Sequence, residues 1–206
     1  MRRMPSADQP DHDAANSDES LMLRYAAGEL AAFDVLYGRH ELRVWRYVFR
    51  SVHVQAVADD LLQDVWFAVA RQAVGAAGYR PTARFKTWLF TIAHNRLVDH
   101  FRTARQHVPI AGHSGDDDDE NNLSNTLAAD SGFGPLRQLQ SREQAAALIA
   151  ALAQLPDQQR EAFLLQAEAG MSVEEIASTT GVSFETAKSR LRYARRSLRQ
   201  QLQEFA

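Results

Sequence analysis

The sequence predicts an all-α protein of two helical domains joined by a flexible acidic linker, and three observations carry that prediction. Apolar residues recur at helical spacing from Asp18 to Phe101 and again from Ser141 onward, with no strand-like alternation of useful length. The six prolines and ten glycines are few and cluster between those periodic stretches, as breaks between helices do. Charge divides the chain in the same places. Residues 1–102 hold 13 basic against 12 acidic side chains and residues 141–206 hold 8 against 8, while the stretch between holds 2 against 6 and so accounts for the net −3. A length of 206 residues suits two small domains, and a hydrophobic content of 45% sustains a core in each.

Residues 1–17 are polar and aperiodic and read as a flexible tail. Met1-Arg2-Arg3-Met4-Pro5 has no apolar run behind it, so neither a signal peptide nor an anchor is expected. No window reaches the ~20 apolar residues of a membrane span. A cytoplasmic protein without membrane insertion is the expectation. The absence of cysteine excludes disulfides, thiolate zinc sites and a cysteine nucleophile together.

Residues 18–102 read as about four helices. Leu21, Tyr25, Phe33, Leu36 and Tyr37 open the series, and Leu42, Trp45, Val48, Phe49 and Val52 continue it as a long amphipathic helix. Ala58–Ala73 buries Leu61, Leu62, Val65, Trp66 and Val69. Gly75 to Pro81 breaks the pattern, and a helix from about Arg84 to Arg102 turns Trp88, Leu89, Ile92, Ala93, Leu97 and Phe101 inward. Residues 103–140 carry Asp116–Glu120, five adjacent acids with little apolar surface to offset ordering entropy, and read as the linker. From Ser141 helical spacing returns through Leu155, Pro156 opens the next helix, and that helix ends near Gly170.

The sharpest pattern lies between Ser172 and Leu198. Ser172 with Glu175 forms a capping-box pair that starts a short helix. Gly181 supplies the positive φ of a tight turn, and Ser183 caps a second helix. Ala187, Leu191, Ala194 and Leu198 make one inward stripe on it. Lys188, Arg190, Arg192, Arg195, Arg196 and Arg199 populate the rest, a cation density that repels itself unless a polyanion neutralises it. This is the layout of a DNA-binding helix-turn-helix.

At this point the residues resemble a known family. Leu155-Pro156, Arg160–Leu165, Gly170–Ala177, Gly181-Val182-Ser183 and Thr186–Leu191 are similar to the C-terminal domain of extracytoplasmic-function sigma factors. Ala58–Trp66 resembles that family's polymerase-docking helix, and Phe85–Asn95 its −10-element helix. The resemblance implies a sigma2-like domain at 18–102, the linker at 103–140 and a sigma4-like domain at 141–206. It implies core RNA polymerase as partner, met at the clamp helices of the largest subunit by Asp59, Asp60, Gln63 and Asp64, and at the flap of the second-largest subunit. It implies promoter DNA as the second partner. The −10 element falls to Tyr79, Arg80, Arg84, Phe85, Lys86, Thr87 and Asn95, aromatics interleaved with cations as single-stranded DNA requires. The −35 element falls to Lys188, Ser189, Arg190, Arg192, Arg195 and Arg196. Trp88 reads as core, whereas Phe85 serves equally as core or as a stacking surface. The acidic linker acquires a use as a strand filling the channel that later holds RNA. An anti-sigma factor, the family's usual control, is the further partner implied.

Two other readings compete. An autonomous helix-turn-helix regulator explains the C-terminus but leaves the acidic helix and the Tyr79–Trp88 segment idle. An enzyme finds little support: His94, Asp99 and His100 do not converge on one helix face, and no phosphate-binding glycine loop occurs. No cofactor and no catalytic residue are expected.

Overall fold

The computed structural model describes residues 16–74, 79–107 and 135–203; among them are eight helices and no strand. The chain divides into two compact units, Met1–His100 and Phe101–Ala206.

The first unit holds α1 (Asp18–Ala26), α2 (Leu30–Val52), α3 (Gln55–Val74) and α4 (Phe85–His107) as far as His100. Ser17 caps α1, its hydroxyl accepting from the Ser20 amide at 3.2 Å, and Asp18 and Glu19 complement the positive end of the helix dipole. Gly28, at φ +102°, turns the chain into α2. Leu21, Met22, Leu36, Val44, Tyr47, Val65, Phe85 and Phe90 form the buried centre.

Two apolar residues expected inside are not. Leu42 and Phe101 are each 40% exposed. The inward row of α2 runs through Leu36, His40, Val44 and Tyr47. A polar side chain thus takes the register that an apolar search skips, and Leu42 falls on the far face.

The second unit holds α5 (Pro135–Ala153), α6 (Asp157–Ala169), α7 (Val173–Thr180) and α8 (Phe184–Gln201). Pro156, at φ −52°, opens α6. Buried Arg160 staples it to the end of α5: one guanidinium nitrogen donates to the carbonyls of Ala153 (3.2 Å) and Leu155 (3.3 Å), the other to Asp157 at 2.6 Å. Gly170 closes α6 at φ +66° and Gly181 closes α7 at φ +67°. Both halves of the Ser172–Glu175 capping box are formed, and Ser183 caps α8. Ala187, Leu191, Ala194 and Leu198 are all buried, making the expected stripe.

The expected linker, 103–140, is entered by helix at both ends. α4 runs on to His107 and α5 starts at Pro135. The apolar stripe stops at Phe101, but Thr103-Ala104-Arg105 contains no helix breaker, and proline is well suited to a first helical position. Asp116–Glu120 and the tail before Asn16 lie outside the described residues, as do Gly75 to Gly78 of the expected break. Among the described residues no helix is long and apolar enough to cross a membrane.

Candidate nucleic-acid interface

On α3 the residues Asp60, Gln63 and Asp64 are exposed and spaced for one face. Phe67 extends the row and is 57% exposed, a residue the sequence reading had not marked. Asp59 stands apart from the row. Its carboxylate accepts from the Trp45 indole N–H at 2.7 Å and so ties α3 to α2. Beside the row a groove of about 610 Å³ is walled by Tyr25, Phe33, Tyr37 and Trp66. Phe33 meets Trp66 edge-on at 5.6 Å, and the buried Trp66 indole N–H has no hydrogen-bond partner among the described residues.

The Tyr79–Asn95 segment divides in two. Arg80, Arg84 and Asn95 are exposed, and Lys86 and Thr87 are half-buried. Phe85 and Tyr79 are buried, at 0% and 8% exposure. Phe85, which the sequence left open between core and stacking surface, packs on His40 (5.4 Å between centroids) and Trp88 (5.8 Å), and Tyr79 sets its ring against Trp88 at 5.1 Å. Trp88, expected in the core, is half-buried.

Two acids at the start of α1, absent from the sequence reading, organise this cluster. Glu19 accepts from the Phe85 amide at 2.7 Å, capping α4 from 66 residues away. Asp18 accepts from His40 Nε2–H at 2.7 Å and from Arg39 at 2.9 Å. The His40 bond, opposed by burial and helped by Arg39, lowers the Asp18 carboxyl to about 2. Burial, then the charges of Glu19 and Asp18, push the Tyr79 hydroxyl up to about 12, and that hydroxyl has no hydrogen-bond partner among the described residues.

On α8, Lys188, Arg192, Arg195 and Arg196 are exposed, with Ser189 and Arg190 half-buried. Arg190 donates to Gln158 at 2.7 Å and Arg195 donates to Gln166, so two amides of α6 aim two guanidinium groups. Arg192 lies over the Tyr193 ring at 5.0 Å. Lys188 pairs with Glu185 at 3.7 Å and stands 5.6 Å from the Phe184 ring centre. Gln158, Gln166, Phe184 and Tyr193 all escaped the sequence reading. The glutamines are neutral, and their partners lie some thirty residues away.

The second unit thus presents a cationic helix after a tight turn and the first an acidic row, and the comparisons with known proteins give the class: a sigma-type transcription initiation factor. Two family models match: Sigma-70 region 2 over residues 36–107, and Sigma-70, region 4, over residues 145–198. The chain is 33% identical over 183 residues to the ECF RNA polymerase sigma factor SigL of Mycobacterium tuberculosis, covering 87% of this chain and 94% of that one. It is 33% identical over 184 residues to the RNA polymerase sigma factor CarQ of Myxococcus xanthus, covering 89% and 97%. The fold is shared with CnrH, solved in complex with the cytosolic domain of CnrY: TM-score 0.58, 24% identity, 92% of this chain and 99% of that one. RpoE of Bartonella quintana, solved with the anti-sigma factor NepR, has the same TM-score of 0.58 at 24% identity, over 83% and 96%. The chain belongs to the extracytoplasmic-function group of the sigma-70 family of RNA polymerase sigma factors.

Proposed function

We propose that this sigma factor docks on core RNA polymerase through Asp60, Gln63 and Asp64, against the clamp helices of the largest subunit. Its region-4 unit meets the flap of the second-largest subunit. The exposed Asp60–Gln63–Asp64 row, continued by exposed Phe67, is the observation that carries the reading. Asp59 contributes by fixing α3 to α2 through Trp45. The −10 element is read and melted through Arg80, Arg84, Lys86, Thr87 and Asn95, with Tyr79 and Phe85 shaping the segment from within. The −35 element is read in the major groove by Lys188, Ser189 and Arg192, with Arg190, Arg195 and Arg196 on phosphates. The chain performs no chemistry itself and works in the cytoplasm, where the polymerase is. An anti-sigma factor restrains it, as the complex with NepR illustrates for the Bartonella protein.

Run-off transcription on genomic promoter fragments with core polymerase, with and without this protein, tests the reading. Discrete core-dependent start sites, lost on Asp60→Lys with Asp64→Lys, are expected. No stimulation, together with tight duplex binding by the protein alone, would replace it with an autonomous regulator.

A further inference from the structure

We infer that Phe184 sets sequence preference at the −35 contact by packing against the 5-methyl group of a thymine. The inference rests on the −35 role proposed for α8 and names a residue that role had not included.

Phe184 is the first residue of α8, directly after the Ser183 cap, whose hydroxyl accepts from the Thr186 amide at 3.2 Å. The first turn of a recognition helix is the part that reaches base edges. Side chains there in this protein are Phe184, Glu185, Thr186 and Lys188, and Phe184 is the large apolar one. It is 40% exposed, whereas Ala187 and Leu191 beside it on the helix are 0% and 2% exposed. Helical geometry puts Phe184 on the border where the buried stripe meets the cationic face, one turn before Lys188. The Lys188 ammonium stands 5.6 Å from the ring centre and 3.7 Å from Glu185. A cation held there leaves the rest of the ring open to the groove.

The chemistry of the groove then selects the ligand. Of the four base-pair patterns in the major groove, the thymine methyl supplies the apolar contact, and phenylalanine is among the side chains that make it. Seating one methyl group against the ring removes both from water, worth about a three- to fivefold change in affinity. A cationic face alone cannot make this discrimination, because phosphate contacts carry no sequence information. Lys188, displaced from Glu185 by DNA, is free for a guanine edge or a phosphate next to that thymine.

Deoxyuridine, which lacks only the methyl group, gives the test. Holoenzyme assembled from core polymerase and the full chain is titrated on a promoter found in the run-off assay, with each −35 thymine replaced in turn by deoxyuridine. One position is expected to cost the wild-type holoenzyme about three- to fivefold. Phe184→Ala should bind the thymine promoter weaker by a similar factor and lose its response at that position alone. Phe184→Leu, which keeps an apolar contact, should retain part of the response, and the salt dependence of all three should match. If both proteins respond alike at every position, or no thymine in the element is sensitive, the inference falls while the −35 reading stands. If scrambling the whole −35 element leaves binding unchanged, the −35 reading itself falls and takes the inference with it.

Discussion

Replacing Asp18 with asparagine removes one negative charge from a site where two donors converge, and its cost follows from the geometry. His40 Nε2–H reaches the carboxylate at 2.7 Å and the Arg39 guanidinium at 2.9 Å, with His40 buried and Arg39 substantially exposed. The folded carboxyl titrates at about 2 instead of 3.8. Because the folded value lies below the unfolded one, the associated stability is fully present above about pH 4 and drains away as pH falls through about 2. At face value the shift corresponds to ~2.5 kcal/mol, and partial solvent exposure screens it to about 1–1.5 kcal/mol. The chain's three tryptophans, Trp45, Trp66 and Trp88, all lie in the first unit, so indole fluorescence reports the unfolding of that unit within the intact chain. With a urea slope of ~2 kcal/mol per molar, Asp18→Asn should lower the fluorescence midpoint at pH 7 by about 0.5–0.8 M. The wild-type and variant midpoints should then converge as pH is lowered from 4 toward 2. An unchanged midpoint at pH 7, or pH profiles that stay parallel, would refute the account of α1 as an electrostatic tie.

Three other outcomes are expected. Glu19→Ala should free the Phe85 amide and speed its hydrogen exchange, at about 1 kcal/mol of α4 stability, while Glu19→Gln, which keeps a carbonyl acceptor, should restore most of the protection. Gly181→Ala should cost about 1 kcal/mol in the region-4 unit by thermal circular dichroism. An added Cβ would meet nothing within 4 Å, so the cost is that of a left-handed backbone and Gly181→Asn should be milder. Asp60→Lys with Asp64→Lys should leave the tryptophan transition within ~0.5 kcal/mol, as exposed positions do, yet abolish co-purification with core polymerase.

How much of this was legible in the sequence depended on the range of the interaction. Capping pairs are three residues apart, so Ser172–Glu175 and Ser183–Thr186 were readable directly, and with them the whole helix-turn-helix. The stripe Ala187–Leu191–Ala194–Leu198 was readable because nothing polar interrupts it. The stripe of α2 was misread at Leu42 because His40 occupies an inward position and is held there by Asp18, 22 residues earlier. Phe85 could go either way on composition alone. Only the packing of His40 and Trp88 on its two sides, with Glu19 on its amide, puts it inside. Cations on α8 announced themselves by density, but the amides of α6 that aim them are uncharged and distant in sequence.

The use of glutamine at those two places has a consequence for binding. Had Gln158 and Gln166 been glutamates, they would orient Arg190 and Arg195 equally well, but each would cancel a charge, and DNA would have to break an ion pair before gaining a phosphate contact. An amide oxygen offers direction without compensation. The guanidinium groups wait in position with their full charge outstanding, and a polyanion arriving at α8 meets a helix whose cations are already ordered and still hungry for a counterion.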